Sequence, residues 1–228
     1  MAFIDNPEEL HQKELLRPKN LIPQDQLLEA KLYSDRLTFI DTLPKNISFL
    51  EVGVLAGDFA IEVIKRTLPS KTTLIDPFYT TDEFAKQYGE ARWDKNEDHY
   101  SFVKNRFKNM PSVKFYKGTY KSFGIENQSD TFDFIYIDYT HSSDATNEAI
   151  GLSALRLNPG GILGFNDYCE FANPNAFEDN RVRRNGVVGA INYFLRYNKD
   201  WYVYAFALNE GLSSDIYLKR REGFFKSN

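Results

Sequence analysis

Residues 49–60 read FLEVGVLAGDFA, and the way this stretch is parsed decides the fold. Ile47 to Val54 (ISFLEVGV) is an apolar, β-branched run of strand length, and Phe59, Val63, Ile64 and Leu68 then recur at helical spacing from Asp58 onward. A buried strand that runs through a turn bearing Gly53 and Gly57 straight into a helix opens a βα unit. Working outward, the alternation continues. Thr72–Ile75 reads as a second strand ending at Asp76-Pro77. Tyr100, Val103 and Phe107 mark a helix face, Val113–Tyr116 a third strand and Phe132–Ile137 (FDFIYI) a fourth. A helix is expected from about Ser143 to Leu157, a break at Asn158-Pro159-Gly160-Gly161, and a fifth strand over Ile162–Phe165. Val187–Tyr197 is helical in pattern. Trp201–Ala207 and Asp215–Leu218 form a closing hairpin about Asn209-Glu210-Gly211.

These elements predict an α/β fold: a doubly wound, mostly parallel, seven-stranded sheet with an antiparallel carboxyl-terminal hairpin. They fill residues 47–228, with an insertion over 78–98. Residues 1–46 are expected to be a helical segment, because Leu27, Leu28, Leu32 and Tyr33 recur at helical spacing. A chain of 228 residues suits one large domain with additions better than two complete ones. With 28 Lys and Arg against 32 Asp and Glu, the net charge of −4 offers no general footprint for nucleic acid. The single Cys169 excludes an internal disulfide and suits a reducing, cytoplasmic setting. The opening MAFIDNPEEL carries acidic residues where a secretory signal needs basic ones, and the apolar runs fall far short of the ~20 residues of a membrane span, so a cytosolic chain is expected.

In open parallel sheets ligands bind beyond the carboxyl ends of the strands, so the polar residues there carry the functional reading. Gly53 and Gly57 permit close backbone approach of a ligand. A pyrophosphate-binding loop would carry glycine two positions after Gly53, where this chain has Leu55, and would not place Asp58 at the helix start. A ligand with a positive centre fits better, with Glu51 adding negative charge. Asp76, 25 residues after Glu51, is suited to accept hydrogen bonds from the two hydroxyls of a ribose. Gly118-Thr119 follows the third strand and Asp138 the fourth.

In this order the motifs FLEVGVLAGDFA, LIDPF, FDFIYIDYTH and LNPGGILGFNDY resemble the class I S-adenosylmethionine-dependent methyltransferases, and among them the macrocin- and novobiocin-type sugar O-methyltransferases. The resemblance runs from about Ile47 to Leu218. It implies a Rossmann-like methyltransferase fold, the methionine part of the cofactor along Glu51, Gly53 and Gly57, its ribose at Asp76, and its adenine near Thr119, with Gly118 and Asp138 also among the cofactor-binding residues. Leu55 replaces the middle glycine of the commoner loop.

The acceptor side is read from the next strand ends. Asp138, Asn166 and Asp167 present three oxygens that could hold Mg²⁺, as related metal-dependent O-methyltransferases do to bind a diol. His141, three residues after Asp138, stands where catechol-type relatives place a lysine, and with Asp138 is expected to be catalytic, the histidine serving as general base. His11 and His99 are expected to be solvated. Arg181, Arg183 and Arg184 would contact an acidic acceptor if they face the site. The expected acceptor is a hydroxyl of a small molecule, a sugar or a glycoside. Tyr79, Phe84, Tyr88, Trp93, Tyr139, Tyr168 and Phe171 follow strand ends and could stack on it, while the insertion and residues 1–46 could form a lid or a homodimer contact. Two other functions remain open: a NAD-dependent oxidoreductase on a similar sheet, and a cofactor-binding protein without catalysis.

Overall fold

The computed structural model describes residues 3–4, 21–79, 97–169, 171–172, 182–209 and 213–221. Eight strands make the main sheet: β1 (Lys31–Tyr33), β2 (Ser48–Val52), β3 (Lys71–Asp76), β4 (Val113–Lys117), β5 (Phe132–Ile137), β6 (Leu157–Phe165), β7 (Trp201–Ala207) and β8 (Asp215–Arg220). Among the described residues, six α-helices accompany them: α1 (Arg36–Ile40), α2 (Asp58–Thr67), α3 (His99–Arg106), α4 (Tyr120–Glu126), α5 (Ser143–Ala154) and α6 (Val187–Tyr197). The strand order is β1-β7-β8-β6-β5-β2-β3-β4. Strand β2 is parallel to both β3 and β5, β3 to β4, and β1 to β7, while β7 and β8 are antiparallel. From β2 the chain moves outward to β3 and β4 and then returns to β5 on the other side, so β2 and β5 flank the point where strand order reverses. A small second sheet joins residues 3–4, 182–184 and 171–172. Among the described residues no helix is long and apolar enough to cross a membrane.

Three sequence expectations change. Residues 24–26 form one 3-10 turn and Lys31–Tyr33 an eighth strand, in place of a helix through Leu27 and Tyr33. Helical spacing in that stretch does not mark a buried face, since Leu28 and Leu32 are 74 % and 67 % exposed. The Asn158-Pro159-Gly160-Gly161 sequence does not separate helix from strand but begins β6. Pro159 and Gly160 are exposed there, where a missing amide is tolerated at a strand's start, and Gly160 takes φ +74. Helix α4, not foreseen, opens with a capping box in which the Thr119 side chain and the Ser122 amide pair.

The chain divides into two compact units. One holds Leu37–Tyr139 and Leu152–Leu163. Its core is aromatic: Phe49 stacks on Phe134 at 5.3 Å and Phe59 on Tyr136 at 4.0 Å between ring centroids. Such pairs add about 0.5–1.5 kcal/mol each beyond area burial. At the amino ends of its strands, the Asp133 carboxylate accepts from the Ser48 amide at 2.7 Å, the Ser48 hydroxyl at 2.8 Å and the Asn158 side chain at 2.7 Å. Burial pushes Asp133 upward, but these bonds outweigh it and hold the carboxyl below its ordinary pKa. They fix the starts of β2, β5 and β6 to one another.

The other unit comprises the residues up to Arg36, Thr140–Gly151 and those from Gly164 onward. Strand β7 alternates buried and half-buried positions from Trp201 to Ala207, the period of a strand with one covered face. Helix α6 buries Val187, Ala190, Ile191 and Leu195 along one stripe. Asp215, fully buried at the start of β8, is satisfied by Arg36 at 3.2 Å, Asn209 at 2.8 Å and the Tyr217 hydroxyl at 3.1 Å.

Candidate functional site

Strand β2 delivers Glu51, 2 % exposed between Leu74 of β3 and Tyr136 of β5, to the start of the glycine loop. The backbone then turns left-handed at Gly53 (φ +88), Leu55 (φ +46) and Gly57 (φ +79). Glycine is required at Gly53 for two reasons. Its φ is unfavourable for any side chain, and a Cβ there would lie 1.8 Å from the Asp138 carbonyl oxygen. A Cβ at Gly57 would lie 2.6 Å from the Phe107 ring. The Asp138 amide in turn donates to the Val52 carbonyl at 2.8 Å, so the ends of β2 and β5 meet without an intervening side chain.

Asp76 ends β3 as expected and is 4 % exposed. Its carboxylate is already at work on the loop: Oδ2 accepts from the amides of Val54 at 2.8 Å and Leu55 at 3.3 Å, and Oδ1 from the amide of Phe78 at 2.6 Å. Gly118 is joined to the same residue, its amide donating to the Asp76 carbonyl at 3.0 Å. Thr119 caps α4 with its hydroxyl. Glu51, Gly53, Gly57, Asp76, Gly118, Thr119 and Asp138 thus all belong to one unit, and short backbone contacts link Gly53 to Asp138 and Asp76 to Gly118.

Two residues that hold this loop were not picked out from the sequence. His99, expected to be solvated, is fully buried: Nε2 meets the Leu55 carbonyl at 2.6 Å and Nδ1 accepts from the Tyr79 amide at 2.9 Å. Arg106 donates to the Ala56 carbonyl at 2.5 Å and pairs with Asp58 at 2.7 Å. The Asp58 charge that argued against a bound anion is therefore countered by a guanidinium. The available signal was the spacing of His99, Val103 and Arg106, which puts all three on one face of α3.

In the other unit, His141 precedes α5, and its carbonyl accepts from the Gly186 amide at 2.7 Å. Ser142 caps α5, its hydroxyl accepting from the Ala145 amide at 3.2 Å. Asn166 and Asp167 follow β6, and Asp167 has φ +52, an unfavourable backbone for a non-glycine residue. His141 Nε2 lies 3.9 Å from Asp167 Oδ2, an ion-pair distance when the imidazole is protonated. Burial, then the Asp167 charge, push the Cys169 thiol up. Burial also lifts Tyr168 to about 12 despite its hydrogen bond to Asn192 at 2.5 Å.

The oxygens read as Mg²⁺ ligands do not fit that ion well. Asn166 Oδ1 accepts from the Arg36 guanidinium at 2.8 Å, which sets a fixed positive charge against one of the three. Among the described residues, no three His, Cys, Asp or Glu side chains gather as a metal site. Phe84, Tyr88, Trp93, His11 and Arg181 lie outside the described residues, as do the side chains of Phe171, Arg183 and Arg184. Tyr79 is 42 % exposed.

Residues 50–168 match the family described as methyltransferase domain. No curated protein matches the chain. Solved structures that share its fold include three methyltransferases. The O-methyltransferase TomG from Streptomyces achromogenes, involved in tomaymycin synthesis and solved with SAM, is 11 % identical with a TM-score of 0.56, over 95 % of this chain and 96 % of that one. The N-methyltransferase NodS from Bradyrhizobium japonicum WM9, solved with S-adenosyl-L-homocysteine, is 16 % identical with a TM-score of 0.54, over 96 % and 100 %. An O-methyltransferase from Bacillus cereus, solved with SAH, is 13 % identical with a TM-score of 0.53, over 94 % and 88 %.

Proposed function

Because the chain belongs to the methyltransferase-domain family, we propose that it transfers the methyl group of S-adenosylmethionine to a hydroxyl of a small molecule, with a sugar or glycoside as the first acceptors to try. The observation that carries the cofactor assignment is the left-handed loop Gly53–Gly57, led by the buried Glu51 and held by Asp76. The loop leaves backbone open to close approach, and the carboxylate favours a cationic ligand.

When bound, the sulfonium supplies a reactive methyl donor; the residues have to hold it and prepare the acceptor. Asp76 Oδ2 is committed to two loop amides, whereas Oδ1 takes one amide and keeps a lone pair. Asp76 would therefore accept from one ribose hydroxyl, fewer than the two expected from sequence. The Gly118-Thr119 turn is assigned to the adenine side, with its hydroxyl reserved for the helix cap. His141 is assigned as general base for the acceptor hydroxyl, with Asp167 stabilising the imidazolium that results. No step is routed through a metal ion, since Arg36 rests on Asn166.

Calorimetry with S-adenosylhomocysteine tests the cofactor site, with NAD as the control ligand. Binding of NAD alone would overturn the proposal in favour of an oxidoreductase. Radiolabelled methyl transfer to a panel of sugars, glycosides and catechols, with Mg²⁺ or with EDTA, tests the rest. Activity is expected to survive EDTA, and His141→Ala to slow transfer while leaving S-adenosylhomocysteine affinity within about twofold. Saturable cofactor binding with no transfer to any acceptor would mark a non-catalytic binding protein.

A further inference from the structure

Leu55 sits mid-loop at φ +46, in the left-handed region that glycine enters freely and leucine does not. Both of its backbone groups are gripped from outside the loop. Its amide donates to Asp76 Oδ2 at 3.3 Å, and its carbonyl accepts from His99 Nε2 at 2.6 Å. The His99 ring has a fixed sense. Nδ1 accepts from the Tyr79 amide at 2.9 Å, so the proton resides on Nε2 and is the one given to Leu55. Packing holds the ring in place: Tyr79 lies parallel to it at 5.8 Å, and Phe78 meets it edge-on at 5.1 Å. One residue along, Arg106 takes the Ala56 carbonyl at 2.5 Å.

We propose that His99 is a positioning residue for the cofactor loop and forms a compensating pair with Leu55: its hydrogen bond keeps a leucine in the conformation that glycine would adopt unaided. The inference rests on the reading of this loop as the S-adenosylmethionine site. Its physical content is a coupling. Without His99, a left-handed leucine gains by swinging its φ out of the left-handed region towards an ordinary backbone conformation, and the loop surface presented to the cofactor changes. A glycine at the same position has no such incentive, so the loss of His99 then matters less.

A double-mutant cycle on the full chain decides it, with S-adenosylhomocysteine as the calorimetric probe. His99→Leu is expected to weaken binding by about tenfold or more when Leu55 is present, and by less than about threefold in the Leu55→Gly background. His99→Gln, whose amide can still donate to the Leu55 carbonyl, should recover most of the loss. Nitrogen-15 spectra of histidine-labelled protein should show His99 as the neutral Nε2–H tautomer. The same loss in both backgrounds, or a proton on Nδ1, overturns the pairing. If the wild-type chain binds no S-adenosylhomocysteine, the cofactor reading itself fails. The pairing is then decided by the same cycle read in urea stability, where His99→Leu must cost more with Leu55 than with glycine.

Discussion

Replacing Gly53 with alanine should be far more damaging than its size suggests. At φ +88 any L-residue bears a conformational cost of roughly 1–2 kcal/mol. The added Cβ would also stand 1.8 Å from the Asp138 carbonyl oxygen and 2.5 Å from its carbon. Both are backbone atoms anchored by the bond from the Asp138 amide to Val52, so no rotamer change relieves the overlap. Overpacking of this kind costs about 1–3 kcal/mol, which brings the total to roughly 2–5 kcal/mol out of the ~5–15 kcal/mol typical of a domain. Two other glycines calibrate the result. At Gly57 the obstruction is the edge of the Phe107 ring at 2.6 Å. That ring can move, so Gly57→Ala should cost about 2–3 kcal/mol, mostly from its φ of +79. At Gly151, in α5, nothing lies within 4 Å of the new Cβ, and alanine should stabilise by about 0.5–1 kcal/mol. Urea unfolding followed by tryptophan fluorescence, with S-adenosylhomocysteine calorimetry on the folded variants, measures all three. A Gly53→Ala variant less than about 1 kcal/mol below wild type, with unchanged ligand affinity, would refute the claim that β2 and β5 meet with no room for a side chain.

Three other outcomes are expected. Asp76→Ala removes the acceptor for three amides and should weaken S-adenosylhomocysteine at least about tenfold; unchanged affinity in calorimetry would unseat Asp76 from the site. Arg36→Met strips a guanidinium from the fully buried Asp215 and should cost about 2–4 kcal/mol in urea unfolding, mostly restored by adding Asp215→Asn, whereas equal stability of single variant and wild type would show that the pair contributes nothing. Burial lifts Tyr120 and Tyr168 to about 12, against hydrogen bonds to Ser153 and Asn192 that act the other way. Their neutral forms therefore stabilise the fold fully below pH 10, and the contribution fades as pH climbs towards 12. An ultraviolet titration should show at least these two phenols ionising only in that window or on unfolding, and reversible ionisation of every tyrosine near pH 10 with the fold intact would contradict it.

The alternation of strands and helices was legible because burial on both faces leaves continuous runs such as Phe132–Ile137 that few other structures need. The loop glycines were legible for a related reason, since only close backbone approach demands them in that spacing. What escaped notice was set by distant partners. Lys31–Tyr33 is a strand only because β7 lies beside it, and three residues carry no periodicity of their own. Pro159-Gly160 looks like a break but is the loose start of β6. His99 looked solvated because its charged neighbours dominate the local sequence, while its partners, Leu55 and Tyr79, stand 44 and 20 residues away. Arg36 on Asn166 spans 130 residues, a separation at which sequence pattern says nothing. It sets a cation beside one of the three oxygens read as metal ligands.

The pairing of β1 with β7 bears on how the molecule is assembled during synthesis. Lys31–Tyr33 aligns with Ala205–Ala207, and Gln26 bonds the carbonyls of Asn198 and Trp201. Strands β2 to β5 can find one another as they leave the ribosome, but the sheet's first strand has no neighbour until some 170 residues more have been translated. At 5–20 residues per second that is a wait of roughly 10–30 s. A segment with Leu28 and Leu32 turned to solvent spends that interval without its strand partner, exposed to chaperones and proteases. In the finished protein, its amides should be the first of the sheet to exchange.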